Sequence, residues 1–131
     1  MSPEELYALL KKEEEKGYYL HKNYQHCMDI IQSLLDNLEN YGYLNCPCRL
    51  ANGDAEKDKH NICPCSYRNI DVKEFGACYC HLFVSETHKD NENFFPEIED
   101  RDNYHKLSRE NYSPFKQNSI NILFFFIKKI N

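Results

Sequence analysis

Leu6, Leu9 and Leu10 recur at helical spacing among charged neighbours and predict a first helix with a narrow apolar face. Its start is marked by Ser2-Pro3-Glu4-Glu5, which supplies an N-cap, a proline at the first helical position and a capping-box glutamate. The helix is expected to run to about Lys16, with Lys11–Lys16 as a solvated face and Gly17 as its stop. A stronger stripe follows in Cys27, Ile30, Ile31, Leu34, Leu35, Leu38 and Tyr41, ended by Gly42. It predicts the core helix. Cys27 lies on this stripe and reads as a small buried hydrophobe, and His21 and His26 read as surface or packing residues.

Beyond Gly42 the long helical period disappears. Ala51-Asn52-Gly53-Asp54 reads as a turn and an Asp cap for a short polar helix through about Lys59. Asp71 is expected to cap a single turn, Val72–Phe75, closed by Gly76 just before Cys78, and His81–Val84 reads as a short extended or helical run. From Ser85 the chain turns rich in Asn, Asp, Glu and Lys, with Pro96 and Pro114 as breakers, which predicts weak order with Phe94 and Phe95 docking on the core. The apolar run at 120–127 is too short to span a bilayer. The expected fold is therefore mainly α: a small multihelical domain over residues 1–84, with a poorly ordered polar C-terminal extension over 85–131 that ends in the apolar run.

At 131 residues the chain is one domain long. A net charge of -5 argues against a nucleic-acid partner, which calls for a basic surplus or stripe. Residues 43–83 hold five Lys/Arg and five Asp/Glu, so this stretch is locally neutral and an acidic electron donor can approach it. Met1–Gly17 lacks the apolar core of a signal peptide, and the expected location is cytoplasmic.

Six of the seven cysteines change the picture. They form three Cys-x-Cys pairs: Cys46-Pro47-Cys48, Cys63-Pro64-Cys65 and Cys78-Tyr79-Cys80. Three chemistries compete for them. A disulfide framework suits small secreted domains. A zinc site, and with it a non-enzymatic interaction module, usually draws its thiolates from Cys-x-x-Cys hairpins and needs only four ligands. A 4Fe-4S cluster also takes four thiolates, one per iron, and leaves two thiols over for a redox disulfide. In Cys-Pro-Cys the proline fixes its own backbone and pushes the residue before it out of helical geometry, and one sulfur is expected to face a cluster while its neighbour faces away.

This ordered pattern, with Tyr41-Gly42-Tyr43 leading into Cys46-Pro47-Cys48-Arg49, resembles the catalytic chain of ferredoxin:thioredoxin reductase. The resemblance covers roughly Tyr18 to Val84. It implies a helical domain folded around a 4Fe-4S cluster, with Cys46, Cys63, Cys65 and Cys78 as the iron ligands and Cys48 and Cys80 as the redox pair. It further implies electrons taken singly from ferredoxin or a similar donor and passed to thioredoxin or a thioredoxin-like protein, with room for a non-catalytic variable subunit. Cys48 would be the attacking sulfur and Cys80 its partner on the cluster side. The sequence departs from the plant-type pattern in the spacing between pairs and at Tyr79, where that pattern has histidine. Of His81, which sits just after Cys80, and Tyr79, His81 is then the expected proton carrier. Arg49 is expected either to lower the Cys48 pKa, or to be solvated or paired with Asp54 or another carboxylate.

Overall fold

A computed structural model describes residues 1–100. Helix α1, Pro3–Lys11, begins as its sequence dictates: the Ser2 hydroxyl accepts the Glu5 N–H while the Glu5 carboxylate accepts that of Ser2. It stops short of the expected Lys16. Lys12–Lys16 tightens into a 3-10 helix that ends at Gly17 in the left-handed region, φ 90°. Helix α2, Tyr24–Tyr41, is capped by the Asn23 side chain and buries Cys27, Ile31 and Leu34 against Leu6, Leu9 and Leu10 of α1. Tyr41, placed on the apolar stripe by its spacing, is instead 42% exposed, because the last turn of α2 runs past the core.

The polar helix expected after Asp54 is replaced by turns and a short 3-10 segment, Lys59–Asn61. The single turn expected at Val72–Phe75 is part of a longer helix, α3, Arg68–Phe75. Asp71 lies inside it, fully buried, rather than at its cap. Strand β1, Tyr19–Leu20, pairs antiparallel with strand β2, Phe83–Val84, in the register Tyr19 to Val84 and Leu20 to Phe83. Two further antiparallel bridges tie Asn45 to Ile62 and Ala77 to Val84. The fold is thus mainly helical, with a sheet just large enough to fix the cysteine loops.

Residues 85–100 lie along this core. His88 stacks on Phe94 at 3.7 Å between ring centroids, and the two side chains cover Gly76. Gly76 closes α3 at φ 86°, and a Cβ built on it would meet His88 Cδ2 at 2.7 Å and Phe94 Cζ at 2.9 Å. Gly76→Ala is therefore expected to destabilise the protein by about 2–3 kcal/mol, the left-handed backbone penalty plus the overlap. Denaturant unfolding would measure it; a change below about 0.5 kcal/mol would show that the His88–Phe94 cover yields freely. The expected apolar run at 120–127 and Pro114 lie outside the described residues.

Candidate metal centre and redox site

Each cysteine pair is delivered by backbone pairing. The Cys46 N–H donates to the Asn61 carbonyl at 2.8 Å and the Cys63 N–H to the Leu44 carbonyl at 2.8 Å, which sets the first pair beside the second. Buried Asn45 and Asn61 lock this seam: Asn61 Nδ2 donates to Asn45 Oδ1, and Asn45 Nδ2 donates to the carbonyls of Cys46 and Arg49. The third pair sits on a turn between α3 and β2, where the Cys78 N–H donates to Phe83 O and the His81 N–H to Cys78 O. His81 takes φ 58° there, uncommon for a non-glycine residue. Asp58, fully buried, accepts from the Tyr43 hydroxyl and from the backbone and side-chain nitrogens of Asn52, which holds the loop after Cys48 against the core.

Cys46, Cys63, Cys65, Cys78 and Cys80 line one cavity, together with Pro64, Tyr79, Phe83 and Arg68. Cys48 does not line it and is exposed, whereas Cys46, Cys63, Cys78 and Cys80 are buried. Cys46 Sγ lies 3.5 Å from Cys80 Sγ, and the Sγ atoms of Cys46, Cys48 and Cys80 all fall within 4.8 Å of one another. The first and third pairs therefore meet, and the second closes the cavity from another side.

This distribution bears on what the thiols fit. One tetrahedral zinc ion, with Zn–S bonds of about 2.3 Å, draws its sulfurs to about 4 Å of one another. Among the described residues the only trio gathered within 4.8 Å is Cys46, Cys48 and Cys80, one ligand short of a closed structural site. Cys63, Cys65 and Cys78 are instead spread around a cavity with no carboxylate or imidazole among its lining residues, Tyr79 being the one that carries a side-chain oxygen. An all-thiol set of this kind fits an iron–sulfur cluster, in which each thiolate serves a different iron. Arg68 also lines the cavity, and its Nε is buried with no hydrogen-bond partner among the described residues. Sulfur acceptors beside it would satisfy that donor.

As free thiols the six differ sharply. Burial pushes Cys65 up to about 12 and Cys63 well above the usual thiol range. Cys48 is drawn down to about 4, first by a hydrogen bond from Cys46 and then by one from Cys80, with Arg49 adding a smaller favourable charge. Cys46 and Cys80, which donate those bonds, are raised in turn. Cys78 is lowered as well, chiefly by a hydrogen bond from Cys80, but it is buried, so Cys48 is the exposed sulfur with thiolate character, as a nucleophile requires.

Arg49 is not solvated, and the carboxylate with which it pairs is Asp100. Its guanidinium is buried, donates to Asp100 at 3.0 Å, and lies over the rings of Tyr67 and Tyr79. His81 Nε2 donates to the Pro96 carbonyl at 2.7 Å. Sequence reasoning missed His26, taken for a surface or packing residue: its Nε2 is 3.0 Å from the Cys80 carbonyl oxygen, 54 residues away. No local signal announces such a contact. His21, His26 and His81 gather around Phe95, whose ring stacks on His21 at 4.4 Å.

Residues 4–103 match the family of the ferredoxin thioredoxin reductase catalytic beta chain. The chain belongs to that family. It is accordingly an oxidoreductase, and the reductase family's match spans all six site cysteines and the segment that carries Phe94 to Asp100. Among curated proteins, none matches the chain. No helix among the described residues is long and apolar enough to cross a membrane.

His21 gives this reductase-family fold a pH dependence. Its Nε2 donates to Phe94 O at 2.7 Å and its Nδ1 accepts the Asn23 N–H at 3.0 Å, so the buried ring is neutral with both nitrogens engaged. Burial lowers its pKa, opposed by the Phe94 carbonyl and reinforced by His26 and His81. The unfolded chain takes up this proton near pH 6.5, the folded chain only below it. Stability from His21 is therefore full above about pH 6.5 and is lost as the pH falls towards the folded value. Thermal unfolding of His21→Gln should fall less between pH 7.5 and 5 than that of the unsubstituted protein; equal slopes would remove His21 as the cause.

Proposed function

We propose that the chain is an iron–sulfur disulfide reductase. It holds a 4Fe-4S cluster through Cys46, Cys63, Cys65 and Cys78 and reduces thioredoxin or a thioredoxin-like protein with electrons from ferredoxin or a similar donor. The observation that carries this reading is the division of the thiols: five cysteines line one cavity, while Cys48 alone is exposed yet lies within 4.8 Å of Cys80. When bound, the cluster supplies one-electron storage beside a disulfide that needs two electrons.

The chain's own residues account for the thiol chemistry. Cys48 Sγ, as the thiolate, attacks one sulfur of the substrate disulfide; a mixed disulfide forms and the second substrate sulfur leaves as a thiolate that takes up a proton. Cys80 Sγ then attacks Cys48 Sγ, which releases the fully reduced substrate and leaves a Cys48–Cys80 disulfide. Two electrons and two protons restore the dithiol. The formed bond needs an S–S distance of about 2.05 Å, so closure draws the two sulfurs together across a short gap. His81 is the proton carrier in this reading: Nε2 is committed to Pro96, and Nδ1 has no partner among the described residues. Arg49, the residue after Cys48, lies over the rings of Tyr67 and Tyr79.

Anaerobically purified protein is expected to be brown, with about four irons and four labile sulfides per chain, and to expose two new thiols on reduction. Colourless protein holding stoichiometric zinc would overturn the reading in favour of an interaction module. Iron without new thiols would leave an electron carrier that lacks disulfide chemistry.

A further inference from the structure

Arg68 lines the thiol cavity and Arg49 approaches one of its cysteines, and each arginine is only 7% exposed. Arg49 Nη1 lies 4.0 Å from Cys65 Sγ, while its Nε bonds Asp100 at 3.0 Å. The Arg49 guanidinium lies over the rings of Tyr67 and Tyr79, with centroids at 4.9 and 4.4 Å. Arg68 lines the cavity, lies over Tyr18 and Phe83, and pairs with Glu13 at 2.7 Å. Arginine does not give up its proton in a protein, so both positive charges are fixed. Neither carboxylate belongs to a cysteine loop: Glu13 comes from the segment after α1 and Asp100 from the segment after β2. Each arginine thus stands between a thiol wall and a carboxylate.

We infer that Arg49 is an electrostatic tuning residue, whose buried charge raises the one-electron reduction potential of the iron–sulfur site and whose strength is set by Asp100. The inference rests on the proposed reading of the cavity as an iron–sulfur site. An all-thiolate cluster is net negative, and adding an electron to it in a low-dielectric surrounding is opposed by that charge. A cation within 4.0 Å of a ligand sulfur offsets the opposition. A carboxylate bonded to the same guanidinium subtracts from the offset. The two ring contacts, the bond to Asp100 and the burial of the side chain restrain the guanidinium, so its effect does not depend on a mobile side chain. Asp100 is the adjustable member, because its side chain is 20% exposed whereas that of Arg49 is 2% exposed.

The test is an equilibrium redox titration of the full cluster-loaded chain, followed by visible absorbance, on three variants. Asp100→Asn is expected to raise the midpoint potential, Arg49→Met to lower it, and Arg49→Lys to recover most of the lost potential because it restores the charge. A merely structural role would move stability without giving opposite signs to Asp100→Asn and Arg49→Met. Should Arg49→Met fail to load iron, Asp100→Asn still decides, since it leaves every thiol and the guanidinium in place. An unchanged or lowered potential in Asp100→Asn overturns the inference. An unsubstituted chain that carries no iron overturns the underlying reading instead, and iron analysis separates the two failures.

Discussion

Cys80→Ser is expected to accumulate a covalent adduct with thioredoxin, and Cys48→Ser to form none. The reason lies in the order of the two thiol steps. With Cys48 present, attack on the substrate disulfide proceeds and the mixed disulfide forms; with Cys80 replaced by a hydroxyl, nothing displaces the substrate. Without Cys48 the first bond never forms, and turnover should fall at least about a thousandfold, the scale of losing a nucleophile. Non-reducing electrophoresis and mass analysis read both outcomes. The exposure of Cys48 and the burial of Cys80 support this order, since the sulfur that meets a protein substrate must be reachable. An adduct formed by Cys48→Ser would reverse the assignment.

Cys63→Ser is expected to abolish the brown colour, and Cys48→Ser to keep it. Cys63 is 5% exposed, lines the cavity, and lies on the seam that joins the first two cysteine pairs. A hydroxyl there is a poor iron ligand and leaves one coordination position open. Iron content should drop by more than about half, with Cys46→Ser, Cys65→Ser and Cys78→Ser behaving alike. The first pair is the decisive one, because both of its sulfurs lie within 4.8 Å of Cys80 Sγ, Cys46 Sγ at 3.5 Å. If Cys48→Ser loses iron while Cys46→Ser keeps it, the roles within that pair are exchanged.

What was legible in the sequence follows from range. The Ser2 capping box, the leucine-rich stripe of α2 and the stops at Gly17, Gly42 and Gly76 act over a few residues, and each is realised. The start of α3 was hidden because Tyr67 makes no side-chain cap, and Asp71 resembled one. Two strands of two residues each carry no periodicity to detect. Within the site, the cysteine pairs were plain from spacing. Their supports were not: Arg49 reaches Asp100 across 51 residues and His26 reaches Cys80 across 54, contacts that only tertiary packing creates. Phe94 and Phe95 do dock, and the carbonyls of Phe94 and Pro96 receive His21 and His81.

The pairing of Tyr19–Leu20 with Phe83–Val84 closes a single loop that contains all six site cysteines. Closing a loop of that length costs on the order of 4 kcal/mol of chain entropy before any contact inside it compensates. The cavity is therefore built mostly from contacts distant in sequence, a topology that folds slowly compared with helical bundles of local contacts. During synthesis the chain can form α1 and α2 early, but the third cysteine pair joins the first two only after Val84 has emerged. The gathering of the six thiols is consequently expected late in folding, and the N-terminal strand, which bears no thiol, takes part in its timing.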